Sequence, residues 1–306
     1  MSLDDSIKVP NTALDLLDYW GKNVCDGKRL EDPIIIKLLL NKEFTDYSEI
    51  IDEIKKIVGY ETSREVIDLA IHSINLHYVT EKQGEKLHRV SEVTGFKLIK
   101  VIGSNILKDT SLSEICNSEF LKKYFLDLAE CSINKFLNNF DLENFIGGFK
   151  RGEKYSRKDV FRILGYDKLP NAQNVGGYLS NGVNCPIFTT YEKSENISAT
   201  TKYEDKFLNP GHLIYMSKNK RSLKSPDVIA MLDQKNNGLR IPFFVKENDY
   251  ESEFYYLGEL TSIPDKFENT FINNEEGKKI SIVKMEFLID KPVESKLYKY
   301  LTNIID

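Results

Sequence analysis

Three consecutive residues, Tyr203, Glu204 and Asp205, place an aromatic ring beside two carboxylates, and Tyr191 and Tyr215 lie nearby in the sequence. An aromatic face can stack on a base, and an Asp or Glu can accept a hydrogen bond from the amino group of cytosine. In an extended segment Tyr203 and Asp205 point to one face and Glu204 to the other, which favours Asp205 as the acceptor. These five residues form a candidate pocket for a modified base. The alternative is that the tyrosines close a hydrophobic core and the acids cap a turn.

A basic stretch follows this segment. Residues 206–226 contain five cations and no acid, and serine and asparagine side chains lie between the cations. Lys and Arg bind backbone phosphates by charge, and neutral hydroxyls and amides donate hydrogen bonds to the same oxygens. The sequence therefore predicts a DNA backbone-binding segment, although a solvated surface loop is the alternative. The residues predicted to bind the backbone are Ser217, Lys218, Lys220, Arg221 and Lys224.

An enzymatic interpretation has less support in the sequence. Cys185 or Ser217 as nucleophile with His212 as base would be typical of a hydrolase, but no Gly-x-Ser-x-Gly elbow surrounds the serine. No phosphate-binding loop of the form Gly-x4-Gly-Lys-Ser/Thr and no His-x-Lys nuclease motif occurs in the chain. The chain is therefore predicted to have no catalytic residues of its own.

Three histidines, His72, His77 and His88, raise the question of a metal site. Their spacings of five and eleven do not place ligands on one face of a helix, and no His-Glu-x-x-His motif is present. We expect polar or capping histidines and no metal.

Composition and charge restrict the class of protein. The chain has 306 residues, of which 41% are hydrophobic and 29% charged, and this is long enough for two domains with their own cores. The net charge of -5 is uneven: residues 1–149 carry 18 Lys and Arg against 25 Asp and Glu, whereas residues 150–306 carry 24 against 22. Four cysteines without metal-type spacing predict a reducing, cytoplasmic environment. No apolar run reaches the roughly 18 to 20 residues of a membrane span.

The hydrophobic pattern changes near Gly148. Before it, apolar residues recur at helical spacing over residues 11–139, including residues 98–107, and predict an all-α domain over residues 1–148. After it, alternating aromatic and β-branched residues predict strands, with short helices near residues 155–164, 226–232 and 294–305. The second domain, residues 149–306, is thus expected to be α+β with a curled antiparallel β-barrel. Its strands are predicted at residues 185–191, 212–216, 241–246, 253–258 and 280–288.

Seven segments between residues 155 and 259 together resemble a known domain. They are the Tyr155 to Val160, Gly176 to Tyr178, Cys185 to Tyr191, Tyr203 to Phe207, Ser217 to Ser225, Phe243 to Lys246 and Phe254 to Glu259 stretches. The region is similar to the C-terminal domain of bacterial proteins that fuse a phospholipase-D-type nuclease to a superfamily two helicase, a family with type IV restriction enzymes. Residues 7–60 resemble, more weakly, the helical connector of the same proteins.

The resemblance implies a PUA-like or SRA-like barrel that flips a modified cytosine, 5-methyl or 5-hydroxymethyl, into an aromatic pocket. It implies two kinds of partner: double-stranded DNA with modified cytosine, and the helicase and nuclease domains of a parent protein. ATP and Mg would serve only those missing domains, so this chain is expected to need no cofactor. The alternative is a protein-interaction module that couples to a helicase and binds nucleic acid without specificity.

Overall fold

The computed structural model describes residues 10–83, 85–166, 175, 177–192, 205–273 and 277–302. Within these residues the chain divides into two compact units, the first ending at Gly148 and the second beginning at Phe149. Independent folding of 1–148 and 149–306 as domains stays a prediction. In the described ranges, no helix is both long and apolar enough to cross a bilayer.

Helices form most of the first unit and pack around the buried Trp20, whose indole donates to the carbonyl of Ile74 at 2.9 Å. Side chains of the sequence set helix ends: Asp46 accepts from the Glu49 amide at 2.9 Å, and Gly59 at φ 77° ends the same helix. The helices are α1 (Asn11–Asn23), α2 (Glu31–Asn41), α3 (Tyr47–Val58), α4 (Arg64–Ile74), α5 (Val90–Thr94), α6 (Thr110–Cys116) and α7 (Glu119–Asn139), followed by a 3-10 turn (Leu142–Asn144).

The first unit also contains strands, so the prediction of an all-helical block was wrong. Residues 98–107, predicted as helix, form most of a hairpin that turns at Gly103 with φ 63°. Each arm has only four residues, too few to separate strand from helix by periodicity. The hairpin extends to a three-stranded antiparallel sheet, and a separate hairpin joins β2 to β3. The strands are β1 (Phe44–Asp46), β2 (Thr80–Gln83), β3 (Lys86–Arg89), β4 (Ile99–Ile102), β5 (Asn105–Lys108) and β6 (Phe145–Ile146).

The second unit is α+β, as predicted. The five expected strands are present within a few residues of their predicted bounds, and three short strands join them in one sheet. The strands are β7 (Phe149–Lys150), β8 (Lys154–Tyr155), β9 (Ile187–Glu192), β10 (Lys206–Asn209), β11 (His212–Met216), β12 (Pro242–Asn248), β13 (Phe254–Ser262), β14 (Glu268–Asn273) and β15 (Lys279–Ile289). The helices are α8 (Arg157–Ile163), α9 (Pro226–Leu232), α10 (Gln234–Asn237) and α11 (Ser295–Thr302), with a 3-10 turn at Pro264–Lys266.

The sheet of the second unit is curled but open. Its main order is β10-β11-β15-β13-β12-β9, with β14 added on β15 and β8 added on β13. Two features differ from the predicted antiparallel barrel. The pair β9 and β12 is parallel, and among the described strands β10 and β9 do not close on each other. The architecture is therefore a half-barrel, and its parallel pair requires a crossover connection from β9 to β12.

Neighbouring residues of a strand point to opposite faces of the sheet. Both faces of this sheet are buried. Phe243 belongs to the core that includes Met285 and Phe287, on which α9 packs through Met231. Phe244 lies on the opposite face and stacks on other rings there. That second face carries an aromatic cluster of Phe149, Tyr155, Phe161, Phe188, Phe244, Phe254 and Tyr256.

Candidate nucleic-acid interface

The basic segment forms a loop, residues 217–225, that leaves the sheet after β11. Ser217 anchors its start: the Ser217 amide donates to the Val283 carbonyl at 2.9 Å, and its hydroxyl accepts from the Val283 amide at 2.8 Å. Ser217 is 0% exposed. The prediction that it binds a phosphate was therefore wrong, because its hydroxyl is enclosed and already used to fix the loop.

The far end of the loop is held by its own serines. Ser222 accepts from the Lys224 amide at 3.2 Å, and Ser225 accepts from the Ser222 amide at 3.0 Å. Asn269 of β14 accepts from the Leu223 amide at 3.0 Å. Hydrogen bonds at both ends limit the conformations of the loop, so its cations are held in place before any ligand arrives.

Lys218 lies over an aromatic ring. Its ammonium is 4.7 Å from the centre of the Tyr178 ring, and its backbone amide donates to the Tyr178 hydroxyl at 3.5 Å. Burial lowers the pKa of Lys218, since partial removal from water disfavours the charged form. The ammonium of Lys218 is thus half-buried, with the Tyr178 ring on one side.

Arg221 is neutralised by an acid just beyond the basic segment. Its Nε lies 2.8 Å from Oδ2 of Asp227, which also accepts from the Tyr178 hydroxyl at 2.7 Å. Burial alone would raise the pKa of Asp227, but the hydrogen bonds from Arg221 and Tyr178 hold that pKa below its usual value. Arg221 therefore positions the loop more than it offers charge, which departs from its predicted role in binding the DNA backbone.

The remaining cations keep their charge for a ligand. Lys220 and Lys224 are exposed, and Lys220 adopts a left-handed backbone with φ 58°. Over the residues that the structure describes, neither they nor Lys218 forms an ion pair. Three lysines without an ion pair, on one fixed loop, form an anion-binding surface, here named the lysine loop (Lys218, Lys220 and Lys224).

The predicted base pocket is only partly covered by the structure, because Tyr203 and Glu204 lie outside the described residues. Asp205 precedes β10 and is half-buried. Its Oδ1 accepts from the Met216 amide at 2.9 Å, and its Oδ2 lies 3.4 Å from the Thr189 hydroxyl. The carboxylate therefore ties β11 to β9.

Tyr191 lies close to Asp205, as the pocket prediction requires. Its ring stacks on Phe207 with centres 5.8 Å apart, and burial raises the pKa of its phenol. Tyr191, Phe207 and Asp205 line one shallow recess together with Thr189 and Phe243. One face of the Tyr191 ring is thus already used by Phe207.

Tyr215 does not line this recess. It is 3% exposed, and its ring meets Tyr178 edge-on with centres 6.2 Å apart. Gly177 passes directly over it: a Cβ at this glycine would overlap the Tyr215 hydroxyl oxygen. Tyr215 is therefore a core residue beneath the Gly177 turn, which corrects its assignment to an open pocket.

Both candidate nucleophiles, Cys185 and Ser217, are enclosed. Cys185 is 0% exposed, and burial raises the pKa of its thiol to about 12, so the reactive thiolate is disfavoured. His212 Nε2 lies 2.9 Å from a carboxylate oxygen of Glu286.

In the first unit, the rings of His72 and His77 lie 4.3 Å apart, and within the described ranges no group of three or more metal-binding side chains is found.

Sequence reasoning missed two members of the interface, Tyr178 and Asp227. Tyr178 is 1% exposed and supports Lys218, while Asp227 pairs with Arg221. The available signal was that Asp227 is the first acid after five cations. Its pairing with Arg221 depends on how the loop turns, which the sequence does not display.

Comparisons with solved structures give distant similarities. The sulfur-binding and SRA domains of ScoMcrA complexed with phosphorothioated DNA match with 9% identity and a TM-score of 0.32, covering 89% of this chain and 90% of that chain. KRYPTONITE in complex with mCHG DNA and SAH matches with 12% identity and a TM-score of 0.31, covering 50% of this chain and 34% of that chain. TM-scores in this range do not establish a common fold.

Family models, in contrast, cover most of the chain, while no curated protein matches it. One family described as a domain of unknown function, DUF8090, matches residues 4–162. Another with the same description, DUF3427, matches residues 149–301. Since each match spans at least half of the sequence, the chain belongs to the DUF8090 and DUF3427 families.

Proposed function

We propose that this chain is a DNA-binding target-recognition module that reads modified cytosine, 5-methyl or 5-hydroxymethyl, in a duplex. The observation that carries the proposal is the lysine loop, whose three lysines form no ion pair among the described residues and stand on a loop fixed at both ends. Such a surface suits a polyanion of regular charge spacing, since each phosphate neutralised releases condensed counterions.

The second part of the proposal concerns the base. The recess that contains Tyr191 and Asp205 brings an aromatic ring and a carboxylate together, and its free volume of about 10 Å³ means that it must open to admit a base. A flipped cytosine needs both, one for its face and one for its amino group. The family resemblance of the sequence supports the same interpretation, with Tyr203 and Glu204 as further members and with the helicase and nuclease parts on other domains.

The lysine loop provides the first test. We expect Lys218→Gln, Lys220→Gln and Lys224→Gln together to weaken binding to modified and plain duplexes alike, because phosphate contacts carry no base information. The slope of log affinity against log salt should flatten by roughly 0.9 for each phosphate that the variant no longer neutralises. A matched control, Lys235→Gln, Lys266→Gln and Lys296→Gln, removes the same charge from exposed positions elsewhere in the second unit.

Two results would contradict the assignment. If both triple variants flattened the salt dependence equally, the effect would come from net charge and not from the loop. If the loop variant changed only the preference between the two duplexes, the lysines would read bases. A chain that bound a helicase but no DNA would instead be the protein-interaction module.

A further inference from the structure

A second cationic cluster lies in the same unit, outside the lysine loop. The guanidinium of Arg157, at the start of α8, lies against two phenyl rings that contact each other, with its carbon 5.2 Å from the centre of Phe188 and 5.0 Å from that of Phe254. Lys246 of β12 approaches the same Phe254 ring, with its ammonium 5.3 Å from the centre. Two positive charges therefore share one ring.

The negative charge near this cluster does not balance it. Asp249 is 3.8 Å from the Lys246 ammonium, which also donates to the Glu251 carbonyl at 2.9 Å. The Glu251 carboxylate is itself paired with Lys154. Within the part of the chain that the structure describes, Arg157 has no ion-pair partner, and its Nε is buried without a hydrogen-bond acceptor. Burial lowers the pKa of both Arg157 and Lys246, as expected for cations short of anions.

The position of the cluster relates it to the lysine loop. The Phe188 amide donates to the Gly177 carbonyl at 2.6 Å, and Gly177 packs directly over the Tyr215 hydroxyl. Tyr215 contacts Tyr178, and Tyr178 supports Lys218. Arg157, Lys246 and Phe254 come from three separate segments that carry the family resemblance, and these segments meet at this point although the proposed function does not use them.

We propose that Arg157, backed by Lys246, binds a phosphodiester of the same nucleic acid that the lysine loop contacts. The inference rests on the proposed function and deepens it by adding a second backbone contact. The planar guanidinium suits this task, since its fork of donors matches two phosphate oxygens while it packs against the two rings. A bound phosphate would supply the anion that the protein itself lacks there.

The test compares Arg157→Leu with Arg240→Leu in the full chain. Arg240 is a matched control because it lies in the same unit but is ion-paired to Glu259 at 2.7 Å. We expect Arg157→Leu to lower the affinity for a duplex about tenfold at roughly 0.1 M salt and to flatten the salt slope by about one, with a much smaller effect from the control. Arg157→Lys should keep the slope, because it keeps the charge. Lys246→Gln should also lower the affinity for the duplex. This variant replaces Arg157→Leu in the test if the leucine variant does not fold.

The outcomes separate the two proposals. Unchanged affinity in Arg157→Leu and Lys246→Gln, while the lysine-loop variant loses binding, would overturn this site alone. No binding of any duplex by the wild type would overturn both. Inorganic phosphate separates the two sources of the anion: at constant ionic strength it should not raise the melting temperature in an Arg157-dependent way. If it did while duplex affinity stayed unchanged in the variant, the site would take a free anion and not a nucleic acid.

Discussion

At the scale of single residues, base recognition depends most on Asp205. Its two oxygens accept from the Met216 amide and the Thr189 hydroxyl, so the residue ties strands together whether or not a base binds. An asparagine could keep both contacts, since its carbonyl oxygen still accepts from the amide and its amino group can donate to the threonine. Asp205→Asn therefore separates base recognition from folding.

We expect Asp205→Asn to lower the affinity for a modified duplex about ten- to a hundredfold and to affect a plain duplex much less. The reason is that one acceptor for the cytosine amino group becomes a donor, and a good base-edge pair discriminates by roughly 1–3 kcal/mol. Competition binding with the two duplexes measures the ratio. A folded variant with an unchanged ratio would place the pocket elsewhere.

Gly177 gives a second prediction at this scale. Its φ of 94° is strained for any other residue, and a Cβ would overlap the Tyr215 hydroxyl. We expect Gly177→Ala to lower the free energy of unfolding by about 1–3 kcal/mol in denaturant titrations. In a Tyr215→Phe background the same change should cost less, because the overlap is removed while the backbone strain remains. Equal costs in both backgrounds would show that Tyr215 does not restrict this turn.

At the scale of elements, five strands of the second unit could be predicted, whereas β8, β10 and β14 could not. Segments such as β11 and β15 alternate aromatic and β-branched residues long enough to fix their period. In the first unit, the arms β4 and β5 have only four residues each, too few to fix a period, so this hairpin was predicted as helix. The parallel pairing of β9 with β12 depends on a long crossover, and the pairing of Arg221 with Asp227 depends on the path of a loop. Neither produces a local pattern in the sequence.

Asp227 allows a prediction about pH. Its pKa in the folded protein is held below the ordinary value of 3.8 by Arg221 and Tyr178, against the opposing effect of burial. A depressed pKa contributes stability that is present above the unfolded value and is lost as the pH falls through the folded value. We expect the free energy of unfolding of the wild type to exceed that of Asp227→Asn by about 1–2 kcal/mol near pH 6. This difference should shrink below about pH 4.

The control for this measurement is Asp265→Asn, since Asp265 is an exposed acid in the same unit. Denaturant titrations of both variants at several pH values give the comparison. A difference between wild type and Asp227→Asn that stays constant down to about pH 2 would show that the carboxylate does not hold the loop through its charge.

At the scale of the whole molecule, charge and architecture divide at the same place. The first unit is acidic and mainly helical, while the second carries the slight excess of cations, the half-barrel and both cationic clusters. The two families meet in this region too, since their matches overlap between residues 149 and 162. We therefore assign DNA recognition to the second unit and coupling to other domains to the first, as the proposed connector.

The most direct test of recognition is to measure binding of the full chain to identical duplexes that contain cytosine, 5-methylcytosine or 5-hydroxymethylcytosine, across a salt series. We predict at least about tenfold tighter binding to one modified duplex, with parallel salt slopes for all three, because the phosphate contacts are shared and only the base contact differs. Equal affinities for the three duplexes at every salt concentration would contradict the claim that this protein reads modified cytosine.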